Sequence, residues 1–435
     1  MVKISFLGSC REIGRSAVLI ESNTGAKCLL DYGIGFNNGD RLPIETDFQN
    51  LKAIALTHSH IDHSGALPLI YKTHRVPFYT NSISLEIAEV LIRDMIKISN
   101  FPYPFGLREL ESLKQYTYFL KNGNRQKIDN NFFITFVDAG HIPGSVSILV
   151  EVDDKRIFYS GDINTQSTNL INSASLTDIP QIDALIIEST YALREHPPRK
   201  LLEEKFVEKV IEKTENGGKV LIPAFGVARS QEALLILEKY NYLGKIYMDG
   251  LARKISSIYL DYPDYLKDFE TFRKVLKKTK FITKKKDRID VNKTNGVIIS
   301  PSGMLKGGAA IHYIETILTD PISAIYLVGY QVEGSPGRGL LDNGIFEFKD
   351  SRKRKKIFKH FQIEAECEYA YFDFSSHADC QNLNDYIENI EFRNRSNSNI
   401  FCVHGDNKST TCFASNLVKK GFNSVAPEIG EVYKI

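Results

Sequence analysis

The sequence predicts an α/β protein in two unlike parts: a layered domain with helices outside its sheets, and a doubly wound domain on a parallel sheet. Three observations lead there. Up to about residue 190 strand-like runs dominate, from about 195 to 335 short apolar runs alternate with amphipathic helices, and past about 360 the strand-rich character returns. A length of 435 residues suits two or three domains with sizeable cores.

In chain order, apolar and β-branched runs predict strands at Val2 to Phe6, Ala17 to Glu21, Cys28 to Leu30, Ala53 to Leu56, Phe132 to Val137, Val146 to Glu151, Arg156 to Tyr159 and Ala184 to Ile187. Between them, apolar residues spaced by three and four predict helices at Leu85 to Ile98 and Leu107 to Phe119. The alternating stretch begins with helix Lys200 to Lys213, strand Val220 to Ile222, helix Gln231 to Tyr240, strand Ile246 to Met248 and helix Leu251 to Leu260. Strand Val297 to Ser300, helix Gly308 to Leu318 and strand Ile325 to Val328 complete it. Such alternation implies a parallel sheet, because each helix carries the chain back to start the next strand in the same direction. A strand at Asn399 to Val403, a helix near Thr410 to Lys420 and a last strand end the chain.

Composition excludes several classes. Hydrophobic residues at 43% and charged residues at 25% are those of a globular protein, not of a disordered, collagenous or coiled-coil chain. With 55 Lys and Arg against 53 Asp and Glu, a net charge of +2 makes no whole-molecule case for a polyanion partner, so any such site is local. The longest apolar runs fall far short of the roughly 20 residues of a membrane helix. No membrane association is expected, and MVKISFLGSCREIG reads as a strand entering a Gly turn, so the expected location is cytoplasmic. The cysteines Cys10, Cys28, Cys367, Cys380, Cys402 and Cys412 include no CxxC pair and are expected to be reduced.

The chemistry concentrates where strands end. Thr57-His58-Ser59-His60-Ile61-Asp62-His63 directly follows one predicted strand. In an extended segment His58 and His60 project the same way, while Asp62 and His63 lie on the next turn and can face a second ion, so the spacing suits two adjacent metals. Asp138-Ala139-Gly140-His141, Ser160-Gly161-Asp162 and Val403-His404-Gly405-Asp406 each set a ligand type just past a strand. His and Asp donors without Cys favour Zn²⁺, with Mn²⁺ or Fe²⁺ compatible with the same set. Asp31 is read as a carboxylate that orients a metal-bound imidazole, since the donor set is full without it. His74, His196, His312 and His360 are read as structural or surface histidines.

His58-x-His60-x-Asp62-His63, His141 and Asp162 resemble the metallo-β-lactamase superfamily. The segments around Glu188, His377 and His404 narrow the resemblance to the β-CASP nucleases, over essentially the whole chain. The resemblance implies a metallo-β-lactamase αββα sandwich, residues 1–194 and 361–435, interrupted by an inserted doubly wound parallel-sheet β-CASP domain at 195–360. It implies RNA hydrolysis by a two-metal mechanism with two zinc ions per chain, in RNA processing or decay; cleavage inside the RNA, stepwise removal from the 5′ end, or both are compatible with the sequence. His58, His60 and His141 would hold one ion, Asp62, His63 and His404 the other, and Asp162 would bridge them, with Asp62, His377 and Glu188 as the catalytic group. The departing 3′ oxygen needs a proton from an acid that titrates near neutrality, for which His377 is the candidate. A neighbouring carboxylate holds an imidazole's tautomer and favours its charged form, which suits Glu188 as the orienter of His377. Family members acting on DNA have an apolar residue at the position of His404, so a histidine there points to RNA. Pro223 to Glu232, Ser300 to Leu305 and Gly329 to Gly334 are more similar to the nuclease subunit of the cleavage and polyadenylation specificity factor and its archaeal relatives than to ribonuclease J.

Ser375 and Ser376 suit either phosphate contact or helix capping. Two basic runs, Arg273 to Arg288 and Arg352 to Lys359, read either as solvated faces or as RNA contacts. Homodimerisation is implied by the resemblance alone. Two competing functions exist. A hydrolase of small thioesters or lactams would need neither Glu188, His377 nor the inserted domain, and a non-catalytic RNA-binding scaffold would be expected to have lost ligands, of which none is missing.

Overall fold

A computed structural model describes residues 1–35, 41–176, 179–352 and 357–435. It divides into two compact units, the first formed by Met1–Ser167, Ser173–Glu195 and Ser376–Ile435 and the second by Thr168–Asn172 and His196–Ser375.

The first unit is built on two seven-stranded sheets. One runs, edge to edge, Val432–Lys434, Lys3–Phe6, Val18–Glu21, Lys27–Leu30, Leu51–Ala55, Phe78–Thr80 and Thr117–Phe119. The other runs Asn423–Val425, Asn399–Val403, Ala184–Glu188, Lys155–Tyr159, Val146–Val152, Phe132–Asp138 and Arg125–Asp129. Because successive strand residues point to opposite faces, each sheet contributes to two cores. Ile4, Phe6 and Ile20 from the first sheet meet Ile148, Ile157, Ile186 and Phe401 from the second in one shared apolar cluster. The alternate residues Leu19, Leu29 and Ile54 face Ala88, Ile92 and Met95 of the helix Ser82–Ile98. Phe158, Leu185 and Ile187 face Leu383 and Ile387 of Cys380–Glu388 and Phe413 and Leu417 of Asn407–Lys419. The layering is helix, sheet, sheet, helix.

The second unit holds a six-stranded sheet in the order Lys280–Phe281, Ile246–Met248, Gly296–Ser300, Lys219–Pro223, Ala324–Leu327 and Glu368–Tyr371. Every neighbouring pair in it is parallel. The strands Ile345–Arg352 and Ile357–Glu364 form a separate antiparallel pair. A buried charge cluster ties the short segment 168–172 into this unit. The Glu203 carboxylate accepts from Asn169 Nδ2 (2.8 Å), Arg199 Nε (3.0 Å) and Lys239 Nζ (2.6 Å), and Glu232 accepts from Leu170 N (2.9 Å) and Arg199 Nη2 (2.5 Å).

Several expectations change. The helix expected over Leu107 to Phe119 ends at Gln115, and Thr117–Phe119 becomes an edge strand parallel to Phe78–Thr80. A β-branched residue followed by two aromatics suits a pleated edge better than a last helical turn. The helix expected from Leu85 starts at Ser82, because Asn81 caps it, Oδ1 accepting from Ser84 N at 3.0 Å. The first unit resumes at Ser376 rather than at 361, since Glu368–Tyr371 pairs with Ala324–Leu327 in the second unit's sheet. No helix among the described residues is long and apolar enough to cross a membrane. All six cysteines are free thiols.

Candidate active site

The site forms where strand ends of both sheets of the first unit converge. In the second sheet, Ala184–Glu188 lies parallel to Asn399–Val403, with Glu188 opposite Val403, and parallel to Lys155–Tyr159. Glu188, His404 and Asp162 therefore emerge at one end. Phe132–Asp138 reverses direction twice relative to Lys155–Tyr159, through Val146–Val152, and so delivers His141 to that end too. In the first sheet Lys27–Leu30 is parallel to Leu51–Ala55, with Leu30 opposite Ala55, which sets Asp31 beside Leu56 and Thr57. The short helix Ile61–Ser64 then carries Asp62 and His63.

Two donor sets result. His58, His60, His141 and Asp162 offer one ligand atom each within 4.8 Å of one another, and so do Asp62, His63 and His404. Asp162 reaches both: Oδ2 lies 3.5 Å from His58 Nε2 and 3.6 Å from His141 Nε2, while Oδ1 lies 3.4 Å from His63 Nε2 and 3.2 Å from His404 Nδ1. Oδ1 is buried and accepts no hydrogen bond of good geometry.

The tautomers follow from the outer contacts. His141 Nδ1 donates to the Ser376 carbonyl at 2.8 Å. His63 Nδ1 donates to Asp31 Oδ2 at 2.7 Å, and His58 Nδ1 lies 3.1 Å from Thr57 Oγ1, whose own proton goes to Asp31 Oδ2 at 2.8 Å. Each of these rings thereby turns its Nε2 inward. His58 Nε2 and His141 Nε2 sit 3.1 and 3.2 Å from His60 Nδ1. One proton at most is available among these three nitrogens, so at least two of their lone pairs converge. A cation satisfies such a cluster, and three imidazoles with a carboxylate is a donor set divalent zinc accepts. The residues therefore fit a divalent metal.

In the metal-free chain the donors differ in charge. Burial alone would raise the Asp162 carboxyl, yet His404, His63 and His377 hold it well below the usual carboxylate range. Burial would lower His63, but Asp162 and Asp31 push it well above the ordinary histidine value. His58 is held well below that value, by burial and then by His63.

Asp31 accepts four hydrogen bonds inside the fold. Oδ1 accepts from Thr57 N (2.7 Å), and Oδ2 accepts from Thr57 Oγ1 (2.8 Å), His63 Nδ1 (2.7 Å) and the Tyr159 hydroxyl (2.9 Å). Burial and then Asp31 hold the Tyr159 phenol well above its ordinary value. Asp31 and His404 both sit in the left-handed region, with φ of 58° and 51°. That conformation, uncommon for residues with a Cβ, marks backbone held by its surroundings. Gly33 is required by packing: a Cβ there would lie 1.7 Å from the Asp62 carbonyl oxygen. Gly140, before His141, has φ of 68°, and a Cβ would lie 2.2 Å from Ala174 N.

His377 stands beside the cluster. Its Nδ1 lies 3.0 and 2.9 Å from the two oxygens of the buried Glu188, whose Oε1 also accepts from Ile163 N at 2.7 Å. The ring is 4.5 Å from His141, centroid to centroid, and its side chain keeps 17% exposure where Glu188 keeps none. Nδ1 occupied by Glu188 leaves Nε2 for proton transfer. Ser376 is fully buried, with Oγ 3.3 Å from Nδ1 of the candidate ligand His141. Ser375 falls in the second unit, where its N–H donates to Asp373. That carboxylate also accepts from His196 Nδ1 at 2.9 Å, which gives His196 a partner the sequence did not disclose.

The sequence reading passes over Thr57, Tyr159 and Thr190, whose Oγ1 lies 3.2 Å from His404 Nδ1. Thr57 adjoins the histidine cluster and carries a hydroxyl at a strand end, which is a usable signal. Tyr159 has none, being brought to Asp31 only by the stacking of two sheets. The side chains of the basic run Arg352 to Lys359 lie outside the described residues.

Comparison with known proteins agrees with this geometry. A Beta-Casp domain matches residues 230–340, a Zn-dependent metallo-hydrolase RNA specificity domain matches 362–427, and the Anti-Pycsar protein Apyc1 family matches 3–182. The chain is 35% identical to "Probable RNase MJ4" of Methanocaldococcus jannaschii, with both chains covered in full. It is 32% identical to "RNase aCSPSF2" of Saccharolobus solfataricus, over 98% of this chain and 84% of that one. It is 29% identical to "Transcription termination factor FttA" of Methanocaldococcus jannaschii, over 96% of this chain and 69% of that one. A crystal structure of a protein of unknown function from Enterococcus faecalis V583 superposes with a TM-score of 0.60 at 15% identity, over 99% of each chain, and so shares the fold.

Proposed function

Because this chain belongs to the β-CASP metallo-β-lactamase ribonuclease family, we propose that it is a zinc-dependent ribonuclease that cleaves RNA internally and removes nucleotides from the 5′ end. His58, His60 and His141 would hold one zinc ion and Asp62, His63 and His404 the other, with Asp162 shared. Bound there, two zinc ions supply Lewis-acid polarisation of a phosphoryl oxygen and acidify water. The protein's own groups do the rest. The outward Nδ1 contacts of His58, His63 and His141 fix the three rings for ligation, and Asp31 holds the His63 and Thr57 contacts rigid. Glu188 orients His377, whose Nε2 donates a proton to the departing 3′ oxygen, leaving a 3′ hydroxyl and a 5′ phosphate.

One observation carries the reading: the two oxygens of Asp162 divide between the two donor sets. The test pairs metal content with product analysis. The zinc-loaded chain should hold two zinc ions, and Asp62→Ala should hold fewer and lose cleavage of a 5′-labelled, 5′-monophosphate RNA on a denaturing gel. Discrete labelled fragments indicate internal cleavage, and labelled mononucleotide alone indicates stepwise removal from the 5′ end. Unchanged cleavage by Asp62→Ala, in a preparation free of contaminating nuclease, refutes the assignment.

A further inference from the structure

We propose that the second unit carries a docking surface for the sugar–phosphate backbone of single-stranded RNA, centred on Lys277, Lys284, Lys285 and Lys286; this rests on the reading of the chain as a ribonuclease. Residues 273–288 hold nine Lys and Arg against one acid, Asp287. With that segment set aside, the chain holds 46 basic against 52 acidic residues, a net charge of −6, so this segment, with the run Arg352 to Lys359, carries the positive excess of an otherwise acidic molecule.

The structure sorts these nine residues by what they do. Lys274 and Lys278 reach Glu238 at 3.2 and 2.9 Å and fasten the helix Phe269–Lys278 to Arg229–Lys239. Arg273 pairs with Glu270 at 2.5 Å, and Arg288 with the buried Asp249 at 2.7 Å. Lys280 lies over the Tyr247 ring at 6.0 Å, on the edge strand Lys280–Phe281, where a lysine also deters edge-to-edge pairing. Lys277, Lys284, Lys285 and Lys286 are exposed and make no ion pair among the described residues. They flank that edge strand within ten residues of chain.

Local structure gives no reason for the last three. Lys285 and Lys286 occupy the first turn of the helix Lys285–Val291, the end where the helix dipole disfavours cations. The adjacent acid answers only Lys284, because Asp287 is otherwise spent on the turn, its Oδ2 accepting from Thr283 N and Lys284 N at 2.9 Å each. Two lysines against the dipole and a third at the cap, beside an acid committed to backbone, are placed for something outside the chain. A flexible polyanion answers that charge, and a lysine-only surface reads backbone phosphates without base preference.

The test compares the full chain with a variant carrying Lys277→Gln, Lys284→Gln, Lys285→Gln and Lys286→Gln, and with the matching Lys→Arg variant. All three are measured in an Asp62→Ala background to stop turnover. Fluorescence anisotropy with a 20-nucleotide unstructured RNA gives the dependence of affinity on salt. At about 0.7 in slope per phosphate contact, the Gln variant should lower the slope by about 2 to 3 and weaken binding on the order of 10²-fold at about 0.1 M salt, while the Arg variant keeps both. With Asp62 intact, the Gln variant should hydrolyse bis(p-nitrophenyl) phosphate as the parent does. A slope unchanged by the Gln substitutions in a chain that cleaves RNA overturns the surface and leaves the ribonuclease standing. A patch-dependent slope in a chain that cleaves no RNA keeps the surface and removes the ribonuclease. Loss of binding to phosphatidylserine vesicles with RNA binding unchanged also overturns the proposal.

Discussion

Asp31→Asn isolates the contribution of a carboxylate that touches a proposed ligand without being one. Asn tolerates the left-handed φ of 58° at this position, so the backbone is kept. Placing the amide oxygen where Oδ2 now sits preserves acceptance from Thr57 Oγ1, His63 Nδ1 and the Tyr159 hydroxyl, but as neutral bonds. The amide nitrogen then faces Thr57 N–H, which Oδ1 now accepts at 2.7 Å, donor against donor. One buried donor left unmade costs about 1–3 kcal/mol, and halving three charge-assisted bonds costs roughly 1 kcal/mol each, about 4–6 kcal/mol together. At roughly 2–4 °C per kcal/mol, the first unit should unfold about 10–20 °C earlier in the metal-free chain. Because His63 loses its anionic orienter, zinc affinity should fall about 10–100-fold. Thermal unfolding in chelator and competition with a chromophoric zinc ligand read the two effects separately. A folded Asp31→Asn protein with parental zinc affinity and an unfolding midpoint unmoved would refute the orienting role.

Two further outcomes are expected. His377→Ala should lower kcat for RNA by about 10²–10⁴-fold with two zinc ions retained, and Glu188→Gln should lower kcat less, leaving KM unchanged; loss of zinc from either would show a ligand role instead. In the second unit, burial pushes the Glu203 carboxyl up, but hydrogen bonds from Lys239, Arg199 and Asn169 more than offset it and hold it below its usual value. A depressed carboxyl contributes stability above its unfolded pKa and loses it as pH falls through the folded value, so the midpoint should drop steeply below about pH 4.5. Glu203→Gln should cost about 3 kcal/mol at pH 7 and flatten that acid limb, as followed by circular dichroism between pH 3 and 7.

Much of the candidate site is legible in the sequence, and the reason is covalent proximity. His58, His60, Asp62 and His63 lie within six residues at a strand end, so strand and turn geometry alone bring them near one another. The alternation from Lys200 to Val328 likewise announced a parallel sheet, since each element is a local pattern of apolar spacing. Tertiary structure decided what depends on distant strands. Whether Asp162 serves one donor set or both depends on which way each oxygen points, and that follows from the packing of Lys155–Tyr159 against its neighbours. Tyr159 reaches Asp31 across 128 residues, and Glu188 reaches His377 across 189. Thr117–Phe119 became a strand because Phe78–Thr80 offered an open edge, and no periodicity within nine residues could outweigh that partner. Residue type and spacing determine which groups can ligate, because those are properties of the chain; which lone pair faces inward is set by hydrogen bonds to partners that only the fold brings into reach.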